Sequence, residues 1–146
     1  MKEMFNSLKS SSGAAKILVM DDDEAVRDNF CYMLEKIKFS AQSVRDGNEA
    51  IRVYDEARRD KRPFDIVIMD LRIKCGAGAL ETISKLSVID PEAKIILSSV
   101  FCDHPAMVNP RGYGFKASLP KPYTIEELSR VLECAMSDSK KREPQF

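Results

Sequence analysis

The chain has 146 residues, 44% of them apolar and 32% charged, a balance that suits one globular domain and excludes a disordered or membrane-embedded chain. Lys plus Arg equals Asp plus Glu at 23 each, so no overall field draws the chain to nucleic acid or to an anionic membrane surface, and no stretch approaches the ~20 apolar residues of a membrane span. Cys31, Cys75, Cys102 and Cys134 lie far apart with no C-x-x-C pair, which argues against a zinc site or redox motif and for reduced thiols in the cytoplasm.

Residues 1–15, rich in Ser, Lys and Gly, read as a flexible arm, 16–136 as one folded domain and 137–146 as a polar tail whose Lys140, Lys141 and Arg142 form a solvated charge run. The domain opens on Ile17, Leu18, Val19 and Met20, a continuous apolar run that predicts a strand buried on both faces and stops at two acids. Val26, Phe30, Met33, Leu34 and Ile37 recur at helical spacing and predict a helix from Glu24 to Lys38. A weak strand follows at 41–44. Asp46-Gly47 then signals a turn into a second helix carrying Ala50, Val53, Tyr54 and Ala57. Phe64 to Met69 is the strongest strand signal, with three β-branched residues in a row, and Asp70 stands at its end.

Beyond a glycine-bearing loop, Leu80, Ile83 and Leu86 predict a third helix, and Lys94 to Leu97 a fourth strand ending in two serines. A short helix is expected between Pro105 and Arg111, and a fifth strand at 115–119 running into Pro120, Lys121 and Pro122. Thr124 with Glu127 three residues on forms a capping box, and Ile125, Leu128, Val131, Leu132 and Ala135 give the last helix its apolar face.

Five strands alternating with helices imply an α/β fold, a parallel sheet covered on both faces by right-handed crossovers. In such sheets ligands bind beyond the C-terminal ends of the strands. Asp21 and Asp22 follow the first strand, Asp70 the third, Ser98 and Ser99 the fourth and Lys121 the fifth, so the topology gathers them into one pocket. Three clustered carboxylates repel one another unless a cation intervenes. With oxygen ligands alone and no Cys or His beside them, magnesium is the expected metal. Asp70 is then placed to attack a phosphorus centre as nucleophile and form an acyl phosphate, with the Lys121 ammonium neutralising phosphoryl charge and the Ser98 hydroxyl reaching a phosphoryl oxygen.

From Lys16 to about Ala135 the chain resembles the response-regulator receiver family. The likeness is carried by the Asp21-Asp22 pair after a hydrophobic strand, by Asp65-Ile66-Val67-Ile68-Met69-Asp70-Leu71, by Ile95-Ile96-Leu97-Ser98-Ser99 and by Lys121-Pro122-Tyr123. The resemblance implies a flavodoxin-like (βα)5 three-layer sandwich with a parallel sheet of order 2-1-3-4-5. It implies Asp70 as phosphoacceptor, Lys121 as the family's lysine and Ser98 as its switch hydroxyl. It implies Mg2+ held by Asp22 directly, Asp21 through water, Asp70 and the backbone carbonyl of Arg72. The implied partners are a sensor histidine kinase or hybrid kinase that donates from phosphohistidine and a downstream protein target, with phosphorylation-dependent homodimer formation as one form of output. Direct nucleic-acid or membrane binding is not expected. Gly76, Gly78, Tyr123 and Tyr113-Gly114-Phe115 are similar to receivers attached to hybrid sensor kinases.

Three departures from the family pattern stand out. Lys74 occupies a loop position where the family often has proline, Ser118 a position where many receivers carry an aromatic, and Arg72 and Val100 positions that influence dephosphorylation. Phe115 is a nearby aromatic whose expected role is core packing.

The other reading of the same acids is an aspartate-nucleophile phosphohydrolase on a similar sheet. Such an enzyme needs a general acid two residues after the nucleophile, where this chain has Arg72, and a cap for which the chain is short. A receiver that is never phosphorylated is disfavoured by the intact acids and lysine. Gly112-Tyr113-Gly114-Phe115-Lys116-Ala117 fits the dinucleotide fingerprint in letters but precedes a strand instead of joining a strand to a helix. His104, the single histidine, reads as a solvated loop residue.

Overall fold

The computed structural model describes residues 14–137. The arm expected at 1–15 and the tail at 137–146 lie outside this range except for Ala14, Ala15 and Ser137. Five strands, β1 (Lys16–Met20), β2 (Ser40–Val44), β3 (Ile66–Asp70), β4 (Ile95–Ser99) and β5 (Ala117–Pro120), form one parallel sheet in the order β2-β1-β3-β4-β5. The crossovers carry α1 (Glu24–Lys36), α2 (Gly47–Arg59), α3 (Ala79–Ile89) and the short α4 (Pro105–Val108), which a 3-10 turn at Pro110–Tyr113 follows; α5 (Ile125–Ser137) closes the fold. This is the flavodoxin-like (βα)5 sandwich.

Period-two alternation along the central strands sends side chains to two cores. Leu18, Met20, Val67, Met69, Ile95 and Leu97 pack on one face with Tyr54, Leu86 and Phe115. Ile17, Val19, Ile66, Ile68 and Ile96 pack on the other with Phe30, Leu34, Leu128 and Leu132. Because β1, β3 and β4 are covered on both sides, their apolar residues come in continuous runs, whereas the edge strand β2 leaves Ser40 and Gln42 exposed and alternates weakly.

Local chemistry fixes the element ends. Asp23 caps α1 by accepting the N–H groups of Ala25 and Val26, and Asp46 caps α2 by accepting that of Glu49 at 3.0 Å. The capping box of α5 forms as expected, Thr124 N–H to Glu127 Oε1 at 2.8 Å and Glu127 N–H to Thr124 Oγ1 at 3.1 Å. Helix α1 stops two residues earlier than its apolar period suggests, because Lys38 turns into the left-handed region at φ 74 and Phe39 N–H folds back onto the Leu34 carbonyl. Strand β5 starts at Ala117 instead of residue 115. Phe115 donates its N–H to the Pro110 carbonyl, closing the 3-10 turn, and buries its ring in the core. Strand β4 extends through Ser98 and Ser99, whose backbones pair with Asp70 and Pro120; ladder pairing overrides their weak strand propensity.

Candidate functional site

The C-terminal ends of β1, β3, β4 and β5 converge because the strands are parallel and in register, with Met20 opposite Met69 and Asp70 opposite Ser98. Carboxylate oxygens of Asp21, Asp22 and Asp70 lie within 4.8 Å of one another. Lys121, delivered by the residue after β5, reaches across the sheet: its Nζ donates to Asp21 Oδ2 at 2.6 Å and lies 3.4 Å from Asp70 Oδ1. Asp21 is buried, Asp22 and Asp70 partly so. Asp21 Oδ1 also accepts the Asp23 N–H at 3.0 Å, and Asp22 Oδ2 accepts the Lys74 N–H at 2.9 Å.

Three carboxylates therefore face one ammonium. Burial of Asp70 disfavours its charged form; Lys121 opposes that, and the negative charges of Asp21 and Asp22 reinforce it, so the carboxyl is pushed up from 3.8 to about 6. The donor set consists of hard oxygens gathered tightly around excess negative charge, which fits a magnesium-sized divalent cation.

Each residue singled out in the sequence can now be placed. Asp21, Asp22, Asp70 and Lys121 come together. Arg72 follows β3 by two residues, and its guanidinium carbon lies over the Phe101 ring, 4.5 Å from the centroid. Ser98 is in register with Asp70, but its hydroxyl is not turned to the acids and donates to the Leu119 carbonyl at 2.8 Å. Ser99 Oγ, next along the strand, accepts the Phe101 N–H at 3.0 Å. Ser118, at a position where many receivers carry an aromatic, donates to the Met107 carbonyl at 2.8 Å and ties β5 to α4. His104 is not a free loop side chain; its Nδ1 accepts the Ala106 N–H at 3.0 Å and caps α4. Arg27 donates to the Asp21 carbonyl at 2.9 Å.

Sequence reasoning missed three supports, Arg27, the Lys74 N–H and Phe101. Lys74 contributes only its backbone N–H to the contact with the Asp22 carboxylate, and proline at that position could not make it. Its one signal was the departure from the family's loop pattern.

The response regulator receiver domain model matches residues 17–133. The chain belongs to that family. Receiver domains are phosphoacceptor modules of two-component signalling, and the five-strand order and acidic cluster agree with that membership. Chemotaxis protein CheY of Listeria monocytogenes is 26% identical over 121 residues, covering 82% of this chain and 97% of CheY. Among solved structures, NtrX from Brucella abortus superposes with a TM-score of 0.75 at 24% identity, over 87% of this chain and 28% of NtrX. The receiver domain of sensor histidine kinase PA1611 from Pseudomonas aeruginosa, solved with magnesium coordinated in its active site cleft, superposes at 0.74 with 20% identity, over 86% of this chain and 99% of that one. The chain thus matches nearly all of CheY but only part of the longer regulator. No helix among the described residues is long and apolar enough to cross a membrane.

Proposed function

We propose that this receiver, spanning residues 16–136, accepts a phosphoryl group on Asp70 from the phosphohistidine of a sensor or hybrid histidine kinase, in the cytoplasm, and passes the resulting change of shape to a downstream protein. The observation that carries the reading is the convergence of Asp21, Asp22 and Asp70 within 4.8 Å, with Lys121 bridging Asp21 and Asp70 at 2.6 and 3.4 Å.

Asp21, Asp22, Asp70 and the backbone carbonyl of Arg72 would hold Mg2+, which supplies charge neutralisation for the phosphoryl oxygens when bound. Asp70 offers the attacking carboxylate oxygen. Lys121 shifts from its carboxylate partners towards the phosphoryl oxygens, and this exchange of partners draws the end of β5 with it. Ser98 is proposed as the hydroxyl that reaches the phosphoryl group, for which it must first release the Leu119 carbonyl. A second reading gives that role to Ser99. It is favoured by the hydrogen bond from Phe101 N–H, in which Ser99 Oγ is the acceptor and so keeps its own O–H as a donor. Comparison of Ser98→Ala and Ser99→Ala separates the two, since only the acting hydroxyl should alter the response to phosphorylation.

The chain acts as a phosphoacceptor with self-catalysed gain and loss of the group, not as a turnover phosphohydrolase. Arg72, two residues after Asp70, carries a permanent cation and cannot serve as the general acid that a hydrolase of that type needs. Intact-mass analysis after incubation with acetyl phosphate and magnesium tests the reading. One magnesium-dependent phosphoryl adduct, absent from Asp70→Asn, is expected; an adduct that persists in the variant would refute Asp70 as acceptor. Lys121→Ala should still be phosphorylated to some extent yet fail to show the accompanying shifts of β4 and β5 resonances, and a wild-type response would remove Lys121 from the switch.

A further inference from the structure

At the end of the sheet opposite Asp70, α1 and α2 both finish in the same way. Past α1, Lys38 N–H donates to the Glu35 carbonyl and Phe39 N–H to the Leu34 carbonyl, each at 3.0 Å. Past α2, Lys61 N–H donates to the Arg58 carbonyl at 3.0 Å and Arg62 N–H to the Ala57 carbonyl at 2.9 Å. This paired closure turns the residue after the cap into the left-handed region, where glycine is favoured because a Cβ crowds the following carbonyl. The chain has lysine at both places, Lys38 at φ 74 and Lys61 at φ 63. Attraction to the helix dipole does not account for the choice, since Lys36 in the last turn of α1 and Arg58 and Arg59 in that of α2 already supply it.

Lys38, Lys61 and Arg62 are exposed. Among the described residues, no carboxylate forms an ion pair with any of the three, whereas Asp55 and Asp90 engage Arg58 and Asp55 engages Arg59. Lys61 lines two adjoining hollows, one with Arg58, Arg59 and Asp90, the other with Arg62, Ser40 and Asp65. Lys38 lies two residues before Ser40, beside the second hollow. The backbone closures thus hold three unpaired cations around one stretch of surface.

We propose that this end of the sheet docks an extended acidic segment of a partner protein, whose carboxylates pair with Lys38, Lys61 and Arg62. Asp65 and Asp90 in the hollows decide the chemistry. They repel the unbroken row of charges on a nucleic-acid backbone or an anionic membrane, whereas a peptide offers N–H donors between its carboxylates. The surface lies at the other end of the strands from Asp70, so docking is independent of phosphorylation and does not rest on Asp70 as acceptor.

The test titrates the full chain at low salt into a fluorescent peptide of about twelve residues alternating Glu and Ser, long enough when extended to span both hollows, and reads anisotropy. Binding should weaken as salt is added. Lys61→Gly should bind about two- to five-fold more weakly, the range one exposed ion pair is worth, while its Tm rises by about 2–4 °C because glycine relieves the left-handed position. Lys38→Gly should show the same pair of effects, and Arg62→Gln the weaker binding without the gain in Tm. Asp70→Asn should leave the affinity unchanged. No binding to the native chain would overturn the proposal, as would equal weakening in Lys85→Gln, whose cation lies on α3 beside Glu81. Binding that survives in Lys61→Gly and is lost on replacing Lys140 and Lys141 would overturn it in favour of the tail. Tighter binding to single-stranded DNA or to phosphatidylserine vesicles, lost in Lys61→Gly, would overturn the peptide assignment in favour of those anions.

Discussion

The two ends of the sheet treat charge in opposite ways. At the N-terminal end the acids have settled partners: Asp65 Oδ2 accepts the Lys16 N–H at 2.7 Å, and Asp90 Oδ2 accepts the Tyr54 hydroxyl at 2.6 Å with Arg58 Nε 3.7 Å away. The remaining Asp90 oxygen takes the Glu92 N–H at 3.0 Å. At the C-terminal end Asp21, Asp22 and Asp70 share one ammonium, and Asp70 is pushed up to about 6 by burial and its acidic neighbours. One end uses polar groups to join elements; the other keeps an excess of negative charge that only an added cation can balance. The second arrangement costs stability, a pattern that clusters at functional sites.

The sharpest way to break this contrast is Asp70→Asn. It should abolish the adduct and, in magnesium-free buffer at pH 7, also stabilise the fold by ~1 kcal/mol. The sign follows from the raised carboxyl. The unfolded chain ionises near 3.8 and the folded chain near 6, so the stability contributed by Asp70 is full below the first value and is lost as pH rises through the second. Asparagine removes that loss. Thermal melts at pH 7 with and without magnesium would check this, and a variant less stable than the native chain in both would show that the site is not charge-strained.

Asp22→Ala should come next in size. It removes one of the proposed oxygen ligands and leaves the Lys74 N–H without its acceptor, so magnesium affinity should fall on the order of 10-fold or more. Titration with magnesium, read by calorimetry, measures it, and unchanged affinity would sink the assignment of Asp22 as ligand.

How much of this was legible in the sequence divides along the same line. Side chains that face the sheet's cores repeat with fixed periods, so the five strands, the helices and their α/β order could be read from Ile66-Val67-Ile68 or from Val26, Phe30 and Leu34. The acids and Lys121 were legible because each follows an apolar run. What escaped were contacts made by backbone or by chain-distant partners. Asp22 and Lys74 are 52 positions apart, and no period or motif announces such a pair. Phe101 reads as one more loop aromatic until Arg72 is seen over its ring. The fifth strand, expected from residue 115, starts at Ala117 because the 3-10 turn claims the Phe115 N–H.

The smallest effects belong to the N-terminal end, where Tyr54→Phe deletes the hydroxyl that joins α2 to Asp90. Asp90 keeps Arg58 and the Glu92 N–H, so the cost should be about 1–2 kcal/mol, with no change in phosphorylation. The same bond gives a pH signature. Burial, and then the hydrogen bond to and negative charge of Asp90, raise the Tyr54 hydroxyl above its ordinary value of 10.0, so the folded chain favours the neutral phenol. Its contribution is fully present below pH 10 and is lost as pH rises from there through the folded value. Denaturant midpoints compared at pH 9 and pH 11 should therefore fall more steeply in the native chain than in Tyr54→Phe. Equal slopes would mean that the phenol titrates freely, and the N-terminal end would then lose the bond that sets it apart from the site.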